Sequence, residues 1–256
     1  MIDARAIIDP RARIASGVTV GPYAIIEGDV EIGAGTWIGP HVVLKGPTRI
    51  GPDNKIFQFS SIGDIPQDKK FQGEESRLEI GAGNVIREYC TINRGTGLGG
   101  EVTRVGDDNW IMAYVHIAHD CQVGSHTIFA NGSQLAGHVR VDDYATLGGF
   151  SLVHQFVTLG THCFSAAASV INMDVPPYVT VSGHWARPYS INTEGLKRRG
   201  FSPEARRALA RAYKILFRSG LTLAQAVEQL RDMVKDSAEV GTLVEFLEQS
   251  KRGIVR

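Results

Sequence analysis

The sequence predicts a mainly β protein: a left-handed parallel β-helix of hexapeptide repeats, followed by a C-terminal α-helical domain. Three observations carry this. Every sixth residue from Ile2 to Ile62 is Ile, Val or Leu (Ile2, Ile8, Ile14, Val20, Ile26, Ile32, Ile38, Leu44, Ile50, Ile56, Ile62), a period that is neither helical nor simple strand alternation and marks an internal repeat. The next residue is often Gly, as at Gly21, Gly33, Gly39 and Gly51, whose backbone freedom suits a tight corner after a short strand. The hexads stop around Pro176-Pro177, and from about Tyr189 the pattern is helical.

Along the chain, the first run is interrupted at 63–79 and resumes in phase at Ile80, Ile86 and Ile92. A second interruption, 93–104, shifts the phase by one. The second run is Val105, Ile111, Ile117, Val123, Phe129, Leu135, Val141, Leu147, Val153 and Leu159; Ser165 breaks it and Ile171 recovers it. Three hexads make one triangular coil, so residues eighteen apart stack directly, with the sixth-residue side chains filling the axis. Such a left-handed winding departs from the usual right-handed crossover. The alternative, a β-sandwich, has irregular strand spacing of about 8–12 residues. The expected division is a β-helix over 1–186, with loops 63–79 and 93–104, and a helical domain over 187–256. In the latter, Ser202-Pro203-Glu204 opens a helix with Ser as N-cap and Pro at its first position. Leu209, Tyr213, Leu216 and Phe217 form its apolar stripe, and Gly220 ends it. Thr222 and Gln225 have capping-box spacing, and a third helix is expected over about 239–249.

Lys plus Arg number 27 and Asp plus Glu 27, so nothing global points to nucleic acid or a membrane. Met1-Ile2-Asp3-Ala4-Arg5 opens the repeat at once and does not resemble a signal peptide, and no run approaches a transmembrane span. Cys90, Cys121 and Cys163 are odd in number and scattered, which suggests reduced thiols and a cytoplasmic protein. Lys197, Arg198, Arg199, Arg206, Arg207, Arg211, Lys214 and Arg218 face a single acid, Glu204, within 197–218. They form either a solvated surface or a docking face for a strongly acidic partner.

Two motifs are refused. Gly95-Thr96-Gly97-Leu98-Gly99-Gly100 matches a dinucleotide fingerprint, but a strand rather than a helix should follow, so a flexible loop is expected. Asn131-Gly132-Ser133 matches a glycosylation acceptor but lies inside a hexad. The histidines are more informative. His119, Gly137 and Gln155 are eighteen apart and form one column; His138 and His154 sit one residue from it, and His116 three residues before His119. All four imidazoles should crowd one edge. His126 and His162 form a second, structural column. A packed imidazole cluster suits either a metal site or acid–base chemistry, and spacing alone does not choose.

Further segments are distinctive in combination: His116-Ile117-Ala118-His119-Asp120-Cys121, Leu135-Ala136-Gly137-His138-Val139, Val153-His154-Gln155-Phe156, Asp174-Val175-Pro176-Pro177-Tyr178 and 192–201. Together with the hexads they resemble the bacterial UDP-N-acetylglucosamine O-acyltransferase family across essentially the whole chain. The resemblance implies that a (R)-3-hydroxyacyl chain moves from acyl carrier protein to the glucosamine 3-hydroxyl of UDP-N-acetylglucosamine, opening lipid A synthesis. It implies His119 as general base, Asp120 as its orienting neighbour and the Gly137 N–H as oxyanion donor. It places Asp68, Lys70, His116, His138 and Gln155 at the sugar nucleotide, and Asn192, Glu194, Arg198 and Arg199 at its uridine and diphosphate end. His154 falls near the acyl donor. Ala167 lies where the family measures acyl length, with Gly for longer and Met for shorter chains, so intermediate length is expected. The family is a homotrimer with sites between subunits, so loop 63–79 should reach a neighbour. No metal, cofactor or acyl-enzyme is implied. Two other functions stay open at this point: a zinc hydratase of the carbonic-anhydrase type on the same fold, and a non-catalytic scaffold.

Overall fold

A computed structural model describes residues 1–256, the side chain of Leu98 excepted. Short parallel strands wind into a left-handed, three-sided prism. Face one has nine strands from Ile7–Ile8 to Val170–Ile171, face two has eight from Arg13–Ile14 to Thr158–Leu159, and face three has ten from Thr19–Val20 to Arg187–Ile191. Strands pair with their counterparts one coil away, as in Ile7 with Ile25 and His116 with Gln134. The two loops lengthen two coils, yet the axial residues stay paired: Ile62 pairs with Ile92, and Ile92 with Ile117, with one register shift just after Ile62 where the first loop leaves the strand.

The hexad residues from Val20 onward are buried along the axis. Ile2 is half exposed, and Ile8 and Ile14 are only partly covered, because the first coil has no coil below it. Ser165 occupies a core position, where its hydroxyl is satisfied by Ser151 Oγ at 2.7 Å and by the Gly148 N–H at 3.1 Å; a buried hydroxyl is tolerated when bonded.

The corner glycines serve a purpose other than the one their backbone freedom suggests. The left-handed corner residue is the third after the apolar one, and it is usually not glycine: Tyr23, His41, Phe59, Asp120 and His138 all have φ between 54° and 63°. The glycine directly after the apolar residue is needed for close approach. A Cβ on Gly33 would lie 2.5 Å from Gly51 C, and one on Gly51 would lie 2.6 Å from Gly81 O. Because left-handed residues recur every coil, their rings stack. Tyr23, His41, Phe59, Tyr89 and Tyr114 form one ladder with centroids 4.9 to 5.3 Å apart, along the corner between faces three and one.

The helical pattern expected from about Tyr189 starts later. Arg187–Ile191 instead folds back antiparallel on Val179–Ser182, ending face three. Four helices follow: α1 (Thr193–Arg198), α2 (Pro203–Arg218), α3 (Leu223–Val234) and α4 (Ala238–Gln249). The caps match the sequence: Ser202 accepts from the Ala205 N–H, and Thr222 and Gln225 form a full capping box. The tail returns to the prism, where Ser250 Oγ donates to Asp174 Oδ2 at 2.6 Å and Val255 is buried in the main core. Among the described residues, no helix is long and apolar enough to cross a membrane. The three cysteines are free and buried, and burial pushes all three thiols above their ordinary range.

Candidate active site

The site is built at the corner between faces one and two, in the coils that follow the two loops. His119 and Asp120 sit on one corner turn, Gly137 and His138 on the next, and Gln155 and Phe156 on the third. The stacking expected from the coil length is present: the His138 N–H donates to His119 O at 3.0 Å. His119 and Gly137 are in contact, since a Cβ on Gly137 would lie 2.5 Å from His119 Cε1 and 2.7 Å from Nε2. The Gly137 N–H donates to no protein acceptor among the described residues.

Asp120 has a fully buried side chain, and its Oδ2 lies 2.8 Å from His119 Nδ1. Burial alone would push its carboxyl up; hydrogen bonds from His119 and from the Thr96 hydroxyl and N–H outweigh it and hold the group below its ordinary value. An ionised carboxylate only accepts, so His119 Nδ1 carries a proton and Nε2 is the ring nitrogen left to exchange one with a substrate. The His138 ring stands perpendicular to His119 with centroids 5.1 Å apart and stacks on Phe156 at 4.5 Å. Burial pushes the His138 pKa down, with Asp120 partly opposing it. His116 Nδ1 lies 2.7 Å from Thr91 Oγ1, and burial, then the nearby His119, push its pKa down.

The Asp68 carboxylate weakly opposes the fall of the His138 pKa, which puts this residue of loop 63–79 on the side of the same corner. Part of that loop packs on the second loop: Glu74 Oε1 accepts from the Gly97 N–H at 3.3 Å, and Arg94 lies over the Phe71 ring. Lys70 and Gln155 are exposed. His154 does not join the imidazole cluster; it is exposed and its Nδ1 lies 3.1 Å from Arg252 Nη2 of the tail. A cleft of about 870 Å³ runs from His138 and Phe156 to Ser250, Lys251 and Arg252.

The remaining candidates lie elsewhere on the prism. Asn192, Glu194, Arg198 and Arg199 line a cleft of about 640 Å³ with Tyr144 and His162, at the outer edge of face three. There His126, Tyr144 and His162 stack at 4.8 and 4.7 Å, and the Arg199 guanidinium lies 4.6 Å from the Tyr144 centroid. Burial and the Arg199 charge push His162 down to about 4. Asn192 also caps α1, accepting from the Gly195 N–H at 3.1 Å and donating to His162 O at 3.0 Å. Ala167 is exposed on the corner between faces three and one. One chain therefore brings together His116, His119, Asp120, Gly137 and His138, with Asp68 on the same side, and places the Asn192–Arg199 group and Ala167 on other corners.

Thr96, Tyr144, Phe156 and Arg252 escape the sequence argument. Column arithmetic applied to aromatics as well as imidazoles finds Tyr144 midway between His126 and His162. Thr96 and Arg252 belong to non-repeating segments, where that arithmetic is silent. The segment 95–100 is not a loose loop: it forms a 3₁₀ turn capped by Thr96 and bonded to Asp120.

His119, Asp120 and His138 offer ligand atoms within 4.8 Å of one another. As a metal site the trio fits poorly, because Asp120 already accepts from Thr96 N, Thr96 Oγ1 and His119 Nδ1. An ion would have to displace the bond that fixes the His119 ring.

Residues 174–255 match the family model described as UDP N-acetylglucosamine O-acyltransferase, domain 2, and residues 102–137 match the bacterial transferase hexapeptide model. The chain is 60% identical, over 98% of its length and 97% of the relative's, to acyl-(acyl-carrier-protein)–UDP-N-acetylglucosamine O-acyltransferase of Thiobacillus denitrificans. It is 58% identical to the protein of the same name from Alkalilimnicola ehrlichii, covering 100% and 99%. The solved UDP-N-acetylglucosamine acyltransferase of Francisella novicida superposes with a TM-score of 0.98 at 43% identity, covering 100% of this chain and 94% of that one.

Proposed function

This chain belongs to the family of acyl carrier protein-dependent UDP-N-acetylglucosamine O-acyltransferases, the enzymes of the first step of lipid A biosynthesis, and we propose that it performs that transfer with His119 as general base. His119 Nε2 takes the proton of the glucosamine 3-hydroxyl as that oxygen attacks the thioester carbonyl. The Gly137 N–H donates to the tetrahedral oxyanion. The carbon–sulfur bond then breaks, and the departing thiolate of acyl carrier protein takes the proton back from the His119 imidazolium. Asp120 stabilises that imidazolium and keeps the ring in the tautomer the first step needs. The single observation that carries this is the His119 ring, held at Nδ1 by a buried carboxylate and lying against a main-chain amide of the next coil that has no protein acceptor.

The two separated groups of candidates support a homotrimer with shared sites. Face two is lined outward by charges, with ion pairs such as Glu31–Arg49 at 3.2 Å and Arg104–Glu79 at 2.8 Å. Exposed pairs of this kind contribute little stability; they mark this face as the solvated one. The outward rows of the other two faces are largely uncharged, including Ile7, Ile25, Leu152, Trp37, Trp110 and Phe164. Face one of one copy against face three of the next closes a ring. The ladder from Tyr23 to Tyr114 then lies near the axis, and the His119 corner of one subunit meets the Arg198–Arg199 cleft of its neighbour. His116, His138, Asp68, Lys70 and Gln155 would hold the glucosamine end, and Asn192, Glu194, Arg198 and Arg199 the uridine and diphosphate. Arginine's fork suits that phosphate geometry.

The cleft from Arg252 past Phe156 offers the donor thioester a route to the corner, with His154 next to Arg252. Lys197, Arg207, Arg211, Lys214 and Arg218 are exposed and give acidic acyl carrier protein a docking face. A cytoplasmic location for the reaction is supported by the three free, buried thiols, which suit a reducing compartment. A panel of acyl carrier protein thioesters, of varied length and with or without the 3-hydroxyl, tests the reaction class. It is offered with UDP-N-acetylglucosamine or its 3-amino analogue, and products are read by mass spectrometry. The expected product is the 3-O-acyl sugar nucleotide from a 3-hydroxyacyl donor, with an optimum length between those of relatives carrying Gly and Met at the Ala167 position. One methyl group in such a ruler is worth about 10–200-fold at most. No acylated sugar nucleotide from any donor contradicts it.

A further inference from the structure

The glycine-rich segment 95–100 closes over Asp120. The Thr96 N–H donates to Asp120 Oδ1 at 2.9 Å and the Thr96 hydroxyl to Oδ2 at 2.7 Å, so one buried residue engages both carboxylate oxygens. From the same loop, Thr103 Oγ1 accepts the Asp120 N–H at 2.8 Å. The glycines make this approach possible. A Cβ on Gly99 would lie 2.1 Å from Asp120 Cγ, and one on Gly95 would lie 2.9 Å from Oδ1. Asp120 itself has φ +62°, in the left-handed region that Asp adopts more readily than most residues. Apart from these partners, its carboxylate faces His119 and, at 3.7 Å, His138. The insertion that breaks the hexads at 93–104 therefore supplies the seat of the carboxylate behind the proposed base.

We propose that Thr96 is a positioning residue for acyl transfer: its two donors aim Asp120 Oδ2 at His119 Nδ1, and so aim His119 Nε2 at the acceptor hydroxyl. This rests on His119 being the base, and it adds that the orienting carboxylate is itself oriented from the glycine-rich loop. Groups that align a base in this way act on the chemical step rather than on substrate affinity.

Steady-state kinetics on Thr96→Val, Thr96→Ala and Thr96→Ser, with Asp120→Asn and the Thr96→Val/Asp120→Asn pair, test it. Loss of the hydroxyl in the Val and Ala variants should lower kcat about tenfold or more, as expected for a hydrogen bond to a charged group. KM for UDP-N-acetylglucosamine and for the acyl donor should stay within about twofold. Thr96→Ser keeps the donor and should stay within about threefold of the parent kcat. The paired variant should be no slower than Asp120→Asn alone, because the effect of Thr96 passes through Asp120. Thermal unfolding and oligomeric state of each variant are recorded, and the Ala variant serves where the Val variant does not fold. Unchanged kcat in the folded Val or Ala variant overturns the proposal. So does a Ser variant as slow as Val, or losses that multiply in the pair. None of these three results touches His119, whose removal is a separate measurement.

Discussion

His119→Ala should lower kcat at least 100-fold, while the protein stays folded and keeps its oligomeric state. A positioned general base contributes roughly 10²–10⁴-fold, and a sugar hydroxyl is a poor nucleophile until its proton leaves. The ring stands outside the axial core, with 14% of its side chain exposed, so truncation removes chemistry rather than packing. KM for UDP-N-acetylglucosamine should change little, because His116, His138 and the distant arginine pair remain. The measurement is kcat and KM on purified variant, with size-exclusion chromatography as the control for assembly. Near-normal turnover in a folded variant removes His119 from the reaction.

Gly137→Ala should be nearly as damaging, and for a geometric reason. Gly137 does not have the left-handed φ that penalises a side chain, so alanine fits its backbone. The new methyl would lie 2.5 Å from His119 Cε1, and the ring has little room to yield. Asp120 holds it at Nδ1, and the His138 ring stands 5.1 Å away on centroids. The ring must turn, which misaims Nε2 and crowds the amide proposed for the oxyanion. Displacements of about 1 Å in such a geometry cost on the order of 100-fold in rate. A kcat within tenfold of the parent, in a variant whose melting temperature is unchanged, contradicts the pairing of His119 with Gly137.

What was legible in the sequence was what repeats. The hexads place the axial core from Val20 to Ile171, and the eighteen-residue coil places His119 beside Gly137 without any knowledge of chemistry. The caps at Ser202 and Thr222 are local and equally readable. What was not legible depends on contacts outside the repeat. Thr96 reaches Asp120 from an insertion of its own shape, Arg252 reaches His154 from a tail that doubles back, and Asn192 uses both ends of its amide to cap α1 and bond His162. Backbone freedom is what the sequence suggests for the corner glycines, whereas contact between successive coils is what requires them at Gly33 and Gly51. Exposure at Ile2, Ile8 and Ile14 was hidden for a similar reason: periodicity counts a residue without knowing whether a coil lies beneath it.

Subunit mixing tests most directly the claim that the His119 corner of one copy works with the Arg198–Arg199 cleft of the next. His119→Ala and a double Arg198→Ala, Arg199→Ala variant are each prepared, unfolded together in equal amounts and refolded, and compared with each parent treated alone. In a closed ring built from one repeated contact, random mixing restores an intact pairing in about one quarter of the sites. Activity should therefore rise from the parental floor to about a quarter of the wild-type value. A refolded mixture that assembles normally but stays at the average of its two parents would mean that both groups serve within one chain, and the shared site would be wrong.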